Sequence, residues 1–117
     1  MDALDKAHLV VHALASRKGQ DLTVLDLRGL TIISDFFVIA TGSSAVNIRA
    51  LADAVLEAAR KDGIKGLTPE GMDDATWVLI DLGDVVVHIF DAEHRDFYQL
   101  ERLWVDALRV PLPEEAA

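Results

Sequence analysis

The side chains best suited to chemistry lie between Ala75 and Phe90, in the stretch ATWVLIDLGDVVVHIF. Asp81 and Asp84 stand on either side of Leu82-Gly83, with Trp77 before them and His88 after them. A histidine near carboxylates can act as a general base, and an indole can anchor a bound protein through its large apolar area and polar N–H. Since no nucleophile or electrophile is identifiable beside His88, the pattern favours binding over catalysis.

A β-hairpin is needed to position these residues. Alternating apolar residues bounded by turn residues predict two strands folded back around Leu82-Gly83. With those two residues at the centre of the turn, Asp81 faces Asp84, Leu79 faces Val86 and Trp77 faces His88. Side chains alternate between the faces of a strand. The predicted core face is aliphatic and carries Val78, Ile80, Val85, Val87 and Ile89; the predicted working face carries Trp77, Leu79, Asp81, Asp84, Val86, His88 and Phe90.

Two questions about the working face stay open at the level of sequence. Asp81 and Asp84 either remain hydrated at the end of the hairpin or meet a basic partner, because facing like charges are otherwise unfavourable. Trp77 either lies open for binding or is covered by a third helix.

Two other motifs have a structural and a functional interpretation. His8 and His12 share a helix face, but a zinc site needs at least a third protein ligand, so surface histidines are predicted. Gly42-Ser43-Ser44 follows an apolar strand and opens a helix, as a phosphate cradle would. It lacks the lysine of a P-loop, and the next strand lacks the closely spaced carboxylate pair of a nucleotidyltransferase. A helix cap is therefore the favoured interpretation.

Composition narrows the class of protein. The 117 residues suit one domain, contain no cysteine and carry a formal charge of −9. Direct binding to naked nucleic acid is not expected, because that affinity depends on Lys and Arg. Neither a membrane span nor a basic-then-apolar leader is visible, so a cytoplasmic protein is predicted. Between Glu70 and Asp106 there are ten acids and only two Lys or Arg, which suits a basic partner.

The remaining elements follow from periodicity and capping residues. The sequence predicts a helix over 2–18 capped by Asp2, a strand over 21–27, a central strand over 35–41 buried on both faces, and a helix from Ser43 or Ser44 to Gly63. It also predicts a brief edge strand at Leu67 and Thr68, and a last helix capped by Asp91 with a stripe of Phe97, Leu100, Leu103, Trp104 and Leu108. The predicted fold is a mixed β-sheet with helices flanking it, in a single domain over 1–110, and residues 111–117 are predicted to be a mobile tail.

Three segments together resemble the ribosomal silencing factor family, also called Iojap-like proteins. They are SDFFVIATGSS at 34–44, WVLID at 77–81 with GDVVVHIF at 83–90, and a C-terminal set comprising Arg95, Tyr98, Leu100-Glu101 and Leu103-Trp104. The resemblance spans the chain from the first helix to Trp104. It implies a fold related to nucleotidyltransferases without their catalytic carboxylates or their activity, and a protein that requires no cofactor.

The resemblance also implies a partner. Family members bind the large ribosomal subunit through its protein number fourteen, block joining of the small subunit and so repress translation; they are often homodimers. The resulting hypothesis is a docking surface in which aromatic residues supply apolar contact and acids pair with Lys or Arg: Trp77, Leu79, Asp81, Asp84, His88, Phe90 and Tyr98. The alternatives are a divergent nucleotidyltransferase that uses Ser43 with distant carboxylates, and an acidic adaptor for another basic protein.

Overall fold

A computed structural model describes residues 1–113, which form four helices and five strands. In chain order they are α1 (Ala3–Ser16), β1 (Gln20–Asp26), β2 (Phe36–Thr41), α2 (Ala45–Lys61), β3 (Trp77–Asp81), β4 (Val85–Phe90), α3 (Ala92–Tyr98), α4 (Leu100–Leu103) and β5 (Leu108–Arg109). No helix in this range is both long and apolar enough to cross a membrane.

The strands form one mixed sheet in the order β3-β4-β2-β1-β5. β2 and β4 run parallel, and every other neighbouring pair is antiparallel. β2 lies in the middle of the sheet, and only Phe37 in that strand is not fully buried. The predicted fold class and the central position of this strand are therefore confirmed, although the strand begins at Phe36 and Phe37 is only half-buried.

The main core lies on one face of the sheet, beneath both long helices. The aliphatic hairpin side chains predicted to form it are all fully buried: Val78, Ile80, Val85, Val87 and Ile89. Burying an aliphatic side chain of this size stabilises the fold by about 1.5–3 kcal/mol. A smaller cluster on the opposite face contains Leu25, Leu27, Ile39 and Phe90, packed against residues of the α4 region. The two long helices thus do not sandwich β2, because short C-terminal elements cover its other side.

Side-chain caps begin the helices. Asp2 accepts a hydrogen bond from the backbone N–H of Asp5 at 2.8 Å, and Asp91 accepts one from His94 at 2.7 Å. Of the two serines proposed for α2, Ser44 is the cap, accepting from Asn47 at 3.0 Å. Each such cap stabilises its helix by about 1 kcal/mol. These predicted helix starts are confirmed, although α1 ends at Ser16 rather than at residue 18.

The predicted register of the hairpin is wrong by two residues. Trp77 pairs with Phe90, Leu79 with His88 and Asp81 with Val86. Asp84 lies in the turn, outside the β3–β4 ladder, and its carbonyl accepts hydrogen bonds from the backbone N–H groups of residues 35 and 36, at 2.9 and 3.1 Å. The turn itself consists of Gly83 and Asp84, since the backbone N–H of Leu82 donates to the carbonyl of Val85 at 2.8 Å, and Asp81 therefore does not face Asp84. A shift of two leaves the assignment of faces intact, because side chains alternate with a period of two.

Two further predictions of elements are wrong. Leu67 and Thr68 form no strand; instead Glu70 bridges to Leu79 through backbone hydrogen bonds of 2.9 and 3.0 Å. The last helix does not continue to Leu108, because Gln99 adopts a left-handed conformation (φ 47°) and Leu108 pairs with β1. The mobile tail over 111–117 stays a prediction, and its residues 114–117 lie outside the described residues.

Candidate protein-docking surface

The mixed face of the hairpin is only partly covered by the rest of the chain. Trp77 and Leu79 are half-buried, Asp81 is exposed, and Tyr98 reaches the surface from the end of α3 with 43% of its area exposed. His88 and Phe90 point to the same face but are 4% and 1% exposed. The predicted residues therefore form two levels, with an accessible level above a buried floor.

A continuous row of six rings crosses this face from α4 to α3. Their order is Trp104, Phe37, His88, Trp77, Tyr98 and Phe97, and we call them the aromatic row. Successive ring centroids are 6.1, 4.6, 6.0, 4.6 and 5.1 Å apart. Such spacings fall within the range of favourable aromatic pairs. The aromatic row therefore forms a partly exposed apolar surface, and exposed tryptophan and tyrosine are enriched at protein interfaces.

Sequence reasoning missed three members of the aromatic row as site residues. The sequence predicts Phe37 in a strand buried on both faces, yet it is half-buried and lies between His88 and Trp104. It predicts Phe97 and Trp104 in the stripe of a single helix. Strand alternation alone would have placed Phe37 opposite to the buried Phe36, so that signal was available. The break at Gln99 had no comparable signal.

His88 is a neutral hydrogen-bond acceptor beneath Trp77. The indole Nε1–H of Trp77 donates to Nδ1 of His88 at 3.1 Å, so the proton of the neutral imidazole is on Nε2. That Nε2 is buried and has no hydrogen-bond partner among the described residues. Burial lowers the pKa of His88 from 6.5 to about 4. Neither Asp81 nor Asp84 hydrogen-bonds to the ring among residues 1–113, so nothing here polarises His88 as a general base.

The two acids at the hairpin turn have different surroundings. Asp81 accepts a hydrogen bond from the backbone N–H of Gly83 at 2.7 Å and otherwise faces solvent. The carboxylate of Asp84 forms an ion pair of 3.0 Å with Lys6 of α1, and both side chains are partly buried. Asp84 thus ties the hairpin to α1, and its basic partner in the structure comes from its own chain.

Arg95 holds α3 against the sheet and so positions Tyr98. Its guanidinium donates to the hydroxyls of Thr41 and Thr23 at 2.9 and 3.0 Å and to the carbonyl of Asp21 at 2.7 Å. Its Nε donates to Glu101 at 3.1 Å, which ties α4 into the same cluster. Because Arg95 is only 13% exposed, these charge-assisted bonds are stronger than typical surface pairs. They hold Tyr98 with its ring centroid 4.6 Å from that of Trp77.

The Gly42-Ser43-Ser44 turn is closed by hydrogen bonds from its own chain. The backbone N–H of Gly42 donates to the carbonyl of Phe90 at 2.8 Å, and that of Ser43 donates to the Asn47 side chain at 2.9 Å. A Cβ at Gly42 would collide with Ile48, so the glycine is needed for close packing of the strand on α2. Ser44 caps the helix, which confirms the cap interpretation of this turn.

Comparison with known proteins gives a consistent result. The profile of a family described as "Ribosomal silencing factor during starvation" matches residues 1–117. The chain is 42% identical over 104 residues to ribosomal silencing factor RsfS of Halalkalibacterium halodurans, covering 89% of each chain. It is 33% identical over 112 residues to the chloroplastic protein Iojap of Zea mays, covering 96% of this chain and 49% of that protein. A crystal structure of a Chromobacterium violaceum protein superposes with a TM-score of 0.87 at 34% identity, covering 100% and 97% of the two chains.

Proposed function

The chain belongs to the family of ribosomal silencing factors, and on this premise we propose that it represses translation by binding the large ribosomal subunit. The proposed contact is protein number fourteen of that subunit, on the face that meets the small subunit. Occupation of that face blocks subunit joining sterically, so the mechanism involves no catalytic step and no cofactor. The proposed site of action is the cytoplasm.

The observation that carries this proposal is the partly exposed aromatic row above β3 and β4. Interface hot spots are enriched in tryptophan and tyrosine that lie near the centre of a contact and exclude water. Trp77 and Tyr98 meet this description, since their rings are in contact and both reach the surface. Leu79 and Asp81 extend the accessible area along β3.

The seven residues of the docking hypothesis therefore take different roles in the proposal. Trp77, Leu79, Asp81 and Tyr98 contact the ribosomal protein directly. His88 and Phe90 support Trp77 from below, through the indole hydrogen bond and a stacked ring contact at 5.1 Å. Asp84 fixes the turn through Lys6. The net charge of −9 favours encounter with a basic ribosomal protein. We also propose that the free protein is a homodimer.

Retention of the protein on isolated large subunits tests the proposal. Trp77→Ala should lower affinity about thirtyfold, equivalent to about 2 kcal/mol, which is typical of a hot spot. Val46→Ala is the matched control, since Val46 is 75% exposed on α2, the helix that packs on the face of the sheet opposite to the aromatic row. Tyr98→Ala is a second test in which misfolding is not expected, because Tyr98 is far more exposed than the buried His88 and Phe90. Equal retention of the wild type and both aromatic variants would contradict the proposed surface.

A further inference from the structure

The outer face of α3 carries the most exposed aromatic ring among the described residues. Phe97 is 78% exposed, and its ring meets that of Tyr98 edge-on at 5.1 Å between centroids. A phenylalanine this exposed leaves apolar surface in water, and a bound partner that covers this surface is stabilised by its burial. Phe97 continues the aromatic row beyond Tyr98, so it borders the proposed docking surface without belonging to the seven residues assigned to it.

Two carboxylates that form no ion pair within residues 1–113 lie on α3 near that ring. Glu93 precedes Phe97 by four positions, which places both on one side of a helix, and Asp96 is the residue before it. Both acids are exposed, and neither forms an ion pair with any described residue. Arg95, the only Lys or Arg in α3, directs its guanidinium inward to Glu101 and the threonines of β1 and β2. The outer face of α3 therefore presents a bare ring within a negative rim.

We propose that this face holds an arginine side chain of the protein to which the chain docks on the large subunit. The guanidinium stacks on the ring of Phe97 while Glu93 or Asp96 accepts its N–H groups. Arginine fits better than lysine, because a planar guanidinium can stack on an aromatic ring and meet a carboxylate with paired hydrogen bonds. This inference rests on the proposed function, since it specifies the chemistry of the partner at the edge of the same surface.

Substitutions of Phe97 separate cation stacking from plain apolar contact. Phe97→Ala removes the side chain, whereas Phe97→Leu keeps much of its apolar area and removes the aromatic face. Binding to purified large subunits should weaken about tenfold for both variants. Val46→Ala is again the control for truncating an exposed apolar residue, and it should bind like the wild type. Because Phe97 is so exposed, all these variants should unfold at the wild-type temperature.

The salt dependence of binding tests the contribution of the two carboxylates separately. Asp96→Asn and Glu93→Gln together should weaken binding about threefold at low salt, and the difference should shrink as salt is raised. Wild-type affinity for Phe97→Leu would overturn the arginine contact while leaving the docking proposal intact. So would a loss of self-association in Phe97→Ala with unchanged subunit binding, since the ring would then serve a second copy of the chain. If the wild type itself fails to bind large subunits, the proposed function falls and this inference with it.

Discussion

The buried imidazole of His88 should make the stability of this protein depend on pH in a range where carboxylates contribute little. In the folded chain Nδ1 of His88 accepts the indole N–H of Trp77, and the ring is 4% exposed. Protonation of Nδ1 would place its N–H against the indole N–H of Trp77. It would also bury a positive charge among apolar side chains. Burial accordingly lowers the pKa of His88 from 6.5 to about 4. The unfolded chain, whose histidine keeps its ordinary pKa, binds the proton first.

The size of the effect follows from the linkage between pKa and folding. Stability from the neutral His88 is fully present above pH 6.5 and is lost progressively as the pH falls toward 4. With these two pKa values, the loss between pH 7 and pH 5 is about 2 kcal/mol, and the complete loss is about 3 kcal/mol. The first figure is the useful one, because ordinary carboxylates begin to titrate below about pH 5.

Urea unfolding followed by far-UV circular dichroism, at several pH values from 5 to 7, measures this loss. His88→Gln provides the comparison, since the glutamine amide oxygen can accept the indole N–H and does not titrate. The wild type should lose about 2 kcal/mol more than this variant across the range. His8→Gln is the matched control, because it replaces a half-buried histidine of α1 in the same way. Its loss of stability across this range should equal that of the wild type. Parallel pH profiles for wild type and His88→Gln would refute the reasoning.

Three further predictions concern the parts that position the docking surface. Arg95→Lys should lower the free energy of unfolding by about 2 kcal/mol, because a lysine ammonium cannot make the hydrogen bonds of the guanidinium to Glu101 and to both threonines. It should also weaken the near-UV circular dichroism of Trp77 and Tyr98, and an unchanged near-UV spectrum would contradict this role. Gly71→Ala should cost about 2 kcal/mol or more by denaturant unfolding, since Gly71 has φ 87° and a Cβ there would overlap the carbonyl of Trp77. Gly63→Ala, with φ 83° and open space around it, should cost only about 1 kcal/mol, and equal losses would contradict the contact. In a double-mutant cycle, Lys6→Met and Asp84→Asn should show a coupling of about 0.2–1 kcal/mol, because that ion pair is partly exposed; additive losses would contradict the pairing.

The faces of the hairpin were predictable from sequence, whereas its register was not. Assignment of faces needs only alternation, so it survives a shift of two residues. The register depends on which two residues form the turn, and these are Gly83 and Asp84 rather than Leu82 and Gly83. Both choices keep the same side chains on each face, so alternation does not distinguish them.

The C-terminal part of the surface was the least predictable. An apolar stripe continues through Leu103 and Trp104 as it would in one helix, and neither glycine nor proline marks the break. The break occurs because Gln99 takes a left-handed conformation and Leu108 and Arg109 extend the sheet beside β1. The covering of His88 and the openness of Phe97 both follow from this tertiary arrangement, so neither could be read from periodicity.

The most direct test of the account is the joining of purified ribosomal subunits, followed by sedimentation with and without this protein. The account predicts that the wild type keeps the subunits apart, that Val46→Ala does the same, and that Trp77→Ala at equal concentration lets them join. Subunits that join equally well with and without the wild-type protein would contradict the central claim.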